Sequence, residues 1–201
     1  MNSSQFNKIL VVKHGSLGDI AFSILAMASI KQFFNNATID LLTEEKYVNF
    51  LSNSNYFNSI FKDNRKGIID SLKVILKINQ NKYDLIIDLQ NSKRTNNYWS
   101  FLKFISEVKV NGSRSNCDIQ YVIPPQGTES PQQGLYNQLK LLGVNEINQN
   151  VDWLSRDISA INEDKIILMI PGVSKSGKDK QWSPDKFAII ASTLEKKGYN
   201  I

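Results

Sequence analysis

A short polar loop, "HGSLGD", joins two apolar runs near the amino terminus and carries residue types that can bind an anion and accept a proton. It spans residues 14–19. Gly15 and Gly18 allow tight turns and a close approach of the backbone to a ligand, and a helix that starts here presents free N–H groups. The spacing matches neither G-x-G-x-x-G nor a Walker loop, so the glycines alone are weak evidence for a nucleotide site.

Asp19, the last residue of this loop, supports two interpretations. Aspartate is a preferred helix N-cap, worth about 1 kcal/mol, and the spacing alone favours this structural role. In the functional interpretation Asp19 is a general base that takes a proton from a substrate hydroxyl, which contributes roughly 10²- to 10⁴-fold in rate. His14 competes for the same task, although a single loop histidine more often packs or forms a hydrogen bond.

A second polar cluster follows the apolar run of "DLIIDLQNSKR". Asp88 and Gln90 end the predicted strand, and Asn91, Lys93 and Arg94 open the next predicted helix. Loops at the carboxyl ends of parallel strands line one crevice, so these groups are expected beside Asp19, where they would hold a polar, anionic substrate. The alternative is that Asp88 caps the helix and the cations are surface residues.

A third cluster, "PGVSKSGKDKQWSP", repeats the design near the carboxyl terminus. Ser174, Ser176 and the loop N–H groups can hold a phosphate, and Lys180 can supply a positive charge to it. The alternative, equally supported by composition, is a lysine-rich surface loop. Trp182 is expected to pack this loop onto the following helix.

The elements that must position these clusters alternate between strand and helix. The sequence predicts strands at "KILVVKH", "ATIDLLT", "YFNSIFK", "YDLIIDLQ", "EVKVNG" and "KIILMIPG", with helices between them. This rhythm predicts an α/β protein with a mostly parallel sheet. A Rossmann-like domain is expected over residues 1–150, and a linker with the first β-α unit of a second such domain over 151–201.

Composition excludes several classes. The 201 residues carry a net charge of +5 with a pI of about 9.2, which permits anionic partners, but no basic run with interleaved aromatics indicates nucleic acid. Cys117 and His14 are the only residues of their types, so a disulfide or a Cys/His zinc site is not expected. No uninterrupted apolar stretch is long enough to span a bilayer.

Taken together, three segments resemble glycosyltransferase family 9, the ADP-heptose:lipopolysaccharide heptosyltransferases. They are "ILVVKHGSLGDIAFSILAMASIK", "YDLIIDLQNSKR" and "IILMIPGVSKSGKDKQWSPDKFAIIASTLEKKGYNI". The three appear in the family's order and cover nearly the whole chain. The S-x-G-D and K-x-W elements are more specific jointly than either is alone.

The resemblance implies a GT-B architecture, in which two Rossmann-like domains face each other. It implies an inverting transfer of heptose from ADP-heptose to a lipopolysaccharide core acceptor, with Asp19 as the base. The expected donor-phosphate residues are Ser174, Ser176 and Lys180. The expected acceptor-binding residues are Lys13, His14, Ser16, Gly18, Asp88, Gln90 and Arg94.

The same resemblance implies a bacterial, cytoplasmic enzyme with a peripheral contact to the anionic inner-membrane face. Lys180 and helix-end dipoles would stabilise the leaving diphosphate, so neither a cofactor nor a metal is expected. The family's W-P pair is changed here to "QWSP". The later strands of the family's donor domain are missing, so the 201 residues by themselves are expected to be inactive.

Two other functions remain open. One is a transferase for a different nucleotide sugar, and the other is a non-catalytic fragment that binds a sugar or a nucleotide. A dehydrogenase is less well supported, because the dinucleotide fingerprint is lacking.

Overall fold

The computed structural model describes residues 3–156, 165–173 and 175–201, which form two compact units divided between Ser155 and Arg156. Strands and helices alternate along the chain. They are β1 (Lys8–Val12), α1 (Leu17–Phe33), β2 (Thr38–Thr43), α2 (Glu45–Ser52), β3 (Ser59–Lys62), α3 (Gly67–Asn81), β4 (Leu85–Asp88), α4 (Lys93–Leu102), β5 (Lys109–Gly112), β6 (Ile119–Gln120), α5 (Pro131–Lys140) and α6 (Pro184–Glu195). The α/β class predicted from the sequence is therefore confirmed.

The first unit contains a six-stranded sheet with the order β3-β2-β1-β4-β5-β6, in which every neighbouring pair is parallel. The chain builds outward from β1 to β3, then returns to the centre at β4 and builds outward on the other side. The order therefore reverses between β1 and β4. In open sheets of this kind ligands bind beyond the carboxyl ends of the strands at such a switch point.

The central strands are apolar on both faces because helices cover both faces of the sheet. Residues Ile9 to Val12 of β1 are buried, as are all four residues of β4. One core cluster includes the buried residues of α1 and α5, and the other includes those of α3 and α4. The fully buried Trp99 of α4 is the largest side chain in the second cluster.

Two details of the predicted strands differ from the structure. β6 is only two residues long, and no periodicity in the sequence marks it. "KIILMIPG", predicted as a strand, forms a single parallel bridge between Ile166 and Asn200. A longer strand needs a longer ladder of partners, and the described part of the second unit supplies only this one.

The second unit is otherwise built around α6. Pro184 occupies the first turn and Ser183 the N-cap position, although the Ser183 side chain makes no capping hydrogen bond. Gly198, three residues beyond the helix, has φ +82° as the chain leaves it. Trp182 packs against Phe187 with ring centroids 5.1 Å apart, so it holds the preceding loop to the helix as predicted.

Within the described ranges, no helix is both long and apolar enough to cross a membrane.

Candidate active site

The loops after β1 and β4 meet at the switch point of the sheet. The Lys13 ammonium donates to the Leu89 carbonyl oxygen at 3.1 Å, and the His14 N–H donates to Gln90 Oε1 at 3.0 Å. The two polar clusters predicted to share a crevice are therefore in direct contact. Their side chains differ greatly in exposure, and that difference separates residues that can reach a ligand from residues that position others.

Asp19 is exposed in the first turn of α1, where it takes part in a capping box. Ser16, and not Asp19, is the N-cap: its hydroxyl accepts from the Asp19 N–H at 3.4 Å, and its own N–H donates to Asp19 Oδ2 at 2.7 Å. The Ser16 hydroxyl also donates to Oδ2 at 2.8 Å. The prediction that Asp19 is the N-cap is therefore wrong, because Asp19 is the third residue of the helix and joins the capping box from that position.

The same contacts leave one oxygen of Asp19 available. All the hydrogen bonds that the carboxylate accepts from described residues go to Oδ2. The Ser16 N–H bond is the main cause that lowers the pKa of Asp19; burial opposes it, and the Ser16 hydroxyl and the Lys13 charge lower the pKa further by smaller amounts. Asp19 is therefore ionised at neutral pH and held in one orientation, and its Oδ1 accepts no hydrogen bond from the described residues.

Gly15 makes this arrangement possible. Its φ is +116°, and a Cβ atom built there would lie 2.6 Å from Asp19 Oδ2. The Gly15 peptide is fixed from the other side, since its N–H donates to Glu44 Oε1 and its carbonyl accepts from the Tyr47 hydroxyl, both at 3.0 Å. A side chain at Gly15 would displace the carboxylate. Gly18 has no such constraint, because its built Cβ would meet only Ser16 Oγ at 3.8 Å.

Lys13 is buried beneath this loop. Burial lowers the pKa of its ammonium, and the charges of Asp19 and Asp88 oppose that effect. The acceptor-binding role expected for Lys13 conflicts with its burial. It acts on Asp19 instead, through its charge.

His14 is also buried, with only 1% of its surface exposed. Its Nε2 lies 3.4 Å from Asp63 Oδ2 without the geometry of a hydrogen bond. Burial is the main cause that lowers the pKa of His14 to about 4, and it outweighs the attraction of Asp63. The imidazole is therefore neutral at pH 7, and this contact is not an ion pair. The predicted contact between His14 and an acceptor is not compatible with this burial.

We expect the folded state to keep His14 neutral down to about pH 4. The unfolded chain binds its proton near pH 6.5, so this residue stabilises the fold above pH 6.5, and the contribution is lost as the pH falls from 6.5 to 4. The loss is on the order of 3 kcal/mol. His14 is the only histidine, so one imidazole NMR signal reports its titration directly.

His14→Gln provides the control for this prediction. Its free energy of unfolding should depend less on pH between 6.5 and 4 than that of the wild type, because the other titrating groups are unchanged. An imidazole signal that titrates near pH 6.5 in the folded protein would contradict the prediction.

Asp63 was missed by the sequence interpretation and is the centre of the buried polar cluster. It is fully buried, and it accepts from the Tyr98 hydroxyl and the Arg65 N–H, each at 2.9 Å. Arg94 also approaches it, with a nitrogen of the guanidinium 3.6 Å from Oδ1. Its position directly after the edge strand β3 was the sequence feature that could have indicated a place in the same crevice.

Asp88 is a correction to the predicted acceptor site. It is fully buried, with its carboxylate accepting from the Gln90 and Asn91 N–H groups at 2.9 Å and from Trp99 Nε1 at 2.7 Å. Burial raises the pKa of Asp88 against these hydrogen bonds. It shapes the loop after β4 and is not accessible to an acceptor. It is not the cap of α4 either, because Ser92 holds that position.

Arg94 and Gln90 retain some exposure at the same edge of the sheet. The Arg94 side chain is 26% exposed, and its Nε donates to the Tyr98 hydroxyl.

A cavity of about 260 Å³ adjoins this region beyond β4 and β5, with Asn91 and Ser113 in its wall. The Ser113 hydroxyl is buried and has no hydrogen-bond partner among the residues that the structure describes.

The predicted donor-phosphate residues lie in the second unit. Ser174 and the Ser176 side chain fall outside the described part of the chain. Lys180 is exposed, at the end of the short 3₁₀ segment Lys175–Lys180. In the ranges that the structure describes, no cluster of three or more His, Cys, Asp or Glu side chains could hold a metal ion.

The fold is that of known glycosyltransferases. The structure matches a glycosyl transferase family 9 protein from Veillonella parvula with a TM-score of 0.73 at 19% identity, over 100% of this chain and 62% of that one. It matches the Escherichia coli heptosyltransferase WaaC, solved with ADP-2-deoxy-2-fluoro heptose, with a TM-score of 0.66 at 14% identity, over 96% and 67%. The sheet is therefore that of a GT-B-type protein.

Sequence comparison finds relatives of the same kind. The chain is 32% identical over 87 residues to lipopolysaccharide heptosyltransferase 1 of Campylobacter coli, and 22% identical over 211 residues to lipopolysaccharide heptosyltransferase 3 of E. coli K12. These matches cover 41% and 92% of this chain and 25% and 59% of the relatives. No family model matches the chain. The chain is therefore similar in sequence to lipopolysaccharide heptosyltransferases and in fold to a family 9 glycosyltransferase, in agreement with the resemblance of its motifs.

Proposed function

We propose that this chain belongs to an inverting glycosyltransferase that moves heptose from ADP-heptose to a lipopolysaccharide core acceptor, and that its first unit binds the acceptor. The observation that carries the proposal is the exposed Asp19 carboxylate at the switch point of the sheet, oriented through Oδ2 while Oδ1 accepts no hydrogen bond from the described residues. An oriented, ionised carboxylate in a ligand crevice is what deprotonation of a sugar hydroxyl requires.

In the proposed reaction an acceptor hydroxyl lies against Asp19 Oδ1. Its oxygen forms a bond to the anomeric carbon of the donor as the bond from that carbon to the diphosphate oxygen breaks, which inverts the configuration. The hydroxyl proton passes to Asp19, and the electron pair of the broken bond leaves with the diphosphate. Since the pKa of Asp19 is lowered, we expect proton transfer late in the step. Asp19 then returns the proton to solvent, to which it is exposed.

Partly exposed polar groups around the crevice suit an anionic sugar acceptor. Gln90 and Arg94 border the crevice, and the exposed Ser16 lies beside Asp19. Phe22 lies one turn further along α1 and is half exposed, so it offers an apolar surface next to these groups. The adjoining cavity with Asn91 and its unpartnered Ser113 hydroxyl would take a further part of the acceptor.

On the donor side, Ser174, Ser176 and Lys180 are proposed to hold the diphosphate. This assignment comes from the family resemblance and from the exposure of Lys180. A lysine ammonium and helix-end N–H groups would stabilise the developing negative charge, so the mechanism includes no metal. The names of the relatives and the ADP-sugar in one similar structure support ADP-heptose as the donor. A cytoplasmic enzyme that works at the inner membrane follows from this acceptor.

The test is a transfer assay with a panel of nucleotide sugars, in a polypeptide that carries these residues and a complete donor-binding half. We expect mass spectrometry to show addition of one heptose to a core acceptor only with ADP-heptose. Transfer of a different sugar would replace the donor assignment, and acceptor binding without transfer would favour the non-catalytic alternative. The 201 residues alone are expected to transfer nothing, because the described residues after Arg156 form too little structure to enclose a nucleotide sugar.

A further inference from the structure

One face of α3 carries apolar side chains that nothing in the first unit covers. Val74, Ile75 and Ile78 pack into the core, as expected for a helix on a sheet. The residues on the other side of the same helix are exposed, and Ile68 is exposed by 80%. At 100° per residue they form a continuous stripe about 100° wide, made of Ile68, Leu72, Leu76 and Ile69.

The neighbouring helix extends this apolar surface. Phe101 of α4 is half exposed, and Phe104, just beyond the helix, is exposed by 87%. An open groove of about 620 Å³ runs between α3 and α4, with Ile68, Leu72 and Phe101 in its walls. Isolated exposed apolar residues are ordinary, but a contiguous patch over two helices marks a surface that binds something.

The charge around this patch is mostly positive. Four lysines on or next to the two helices are exposed, namely Lys66, Lys73, Lys77 and Lys93, and Arg94 lines the groove. Asp70 is the single acidic residue within α3 and α4, and its carboxylate accepts from the Lys66 N–H at 3.2 Å. The occupant of the surface should therefore be both apolar and anionic.

We propose that this surface, formed by α3, α4 and Phe104, docks on an anionic lipid bilayer. Stable attachment to a membrane needs two signals, and here apolar side chains and a basic rim supply both. A second copy of this chain fits less well, because a symmetric dimer would set the same basic rim against itself. The groove begins at Arg94, where α4 leaves the edge of the sheet that carries the candidate active site.

This inference extends the proposed function, since an acceptor held in a membrane must be met at the membrane. Its test needs neither donor nor acceptor, so its failure would leave the proposed transfer reaction standing. Cys117 is the only cysteine, it is buried, and burial is the main cause that raises the pKa of its thiol to about 11. A cysteine introduced on the surface can therefore be labelled selectively.

The experiment uses the 201-residue chain with an environment-sensitive fluorophore at Leu72→Cys or Phe104→Cys. The matched control is Leu141→Cys, which is also exposed but ends α5, a helix of the core cluster on the opposite face of the sheet. Vesicles contain phosphatidylethanolamine and phosphatidylglycerol at 3:1, or phosphatidylcholine alone. We expect a blue shift and a several-fold rise in emission at Leu72 and Phe104 with the anionic vesicles, and no change at Leu141.

Charge reversal separates electrostatic docking from nonspecific adsorption. In flotation assays Lys73→Glu changes the charge by two and should lower partitioning onto the anionic vesicles roughly thirtyfold, whereas Lys140→Glu, on α5, should have a much smaller effect. Equal responses at all three labelled sites, or no binding to anionic vesicles, would overturn the inference. It would also be overturned if light scattering showed a dimer that Leu72→Ser and Phe104→Ser dissociate while the vesicles remain unbound.

Discussion

Asp19→Asn is expected to lower the turnover number of the transferase by roughly 10²- to 10⁴-fold, with a much smaller change in KM for the acceptor. The amide keeps an oxygen that can accept from the Ser16 N–H, so the capping box survives, but it cannot take a proton. Steady-state kinetics with a core acceptor, in a polypeptide with a complete donor half, measure this effect.

Asp19→Glu tells catalysis apart from helix capping. Glutamate is a preferred residue at this position of a capping box, so the free energy of unfolding should be kept. Its carboxylate is displaced by one methylene group, so turnover should still fall. Asp70→Asn, in the first turn of α3, is the matched control and should leave turnover unchanged. Parallel losses of stability and turnover in both Asp19 variants would show that Asp19 is only a cap.

Gly15→Ala is expected to destabilise the first unit by about 1 to 3 kcal/mol and to abolish most of the transfer activity. Alanine rarely adopts φ +116°, and its methyl group would lie 2.6 Å from Asp19 Oδ2. Either the loop or the carboxylate must move, and Glu44 and Tyr47 hold the loop. Urea unfolding of the 201-residue chain measures the first effect.

Gly18→Ala is the matched control for that substitution. Gly18 lies within the first turn of α1, and its built Cβ meets nothing closer than 3.8 Å. The free energy of unfolding should stay the same or rise by about 0.5 to 1 kcal/mol, because alanine favours a helix. If Gly15→Ala were as stable as Gly18→Ala, the proposed support of Asp19 by Gly15 would be wrong.

The strands and their order of appearance could be predicted because both faces of the sheet are covered. A strand buried on two sides reads as a continuous apolar run, as "ILVV" and "LIID" do, and such runs are distinctive. β6 could not be found in this way, because two residues have no periodicity. The opposite error occurred at Ile166, where an apolar run was predicted as a strand but forms only one bridge. An apolar run becomes a strand only when a partner strand lies beside it.

The positions of the site loops could be predicted, but the exposure of each residue could not. Lys13, His14 and Asp88 have the residue types of ligand-binding groups, yet the structure buries all three. Their burial depends on contacts across the sheet, such as Lys13 with Leu89 and Asp88 with Trp99, which no local pattern contains. Asp63 was missed for the same reason, because its partners come from three segments: the loop after β1, the loop after β3 and α4.

The most direct test of the account is a crystal structure of this chain with a core acceptor bound. We expect the reactive hydroxyl oxygen within about 2.6 to 3.2 Å of Asp19 Oδ1, at the carboxyl ends of β1 and β4. An acceptor bound elsewhere on the sheet, or with every hydroxyl out of hydrogen-bond reach of Asp19, would contradict it.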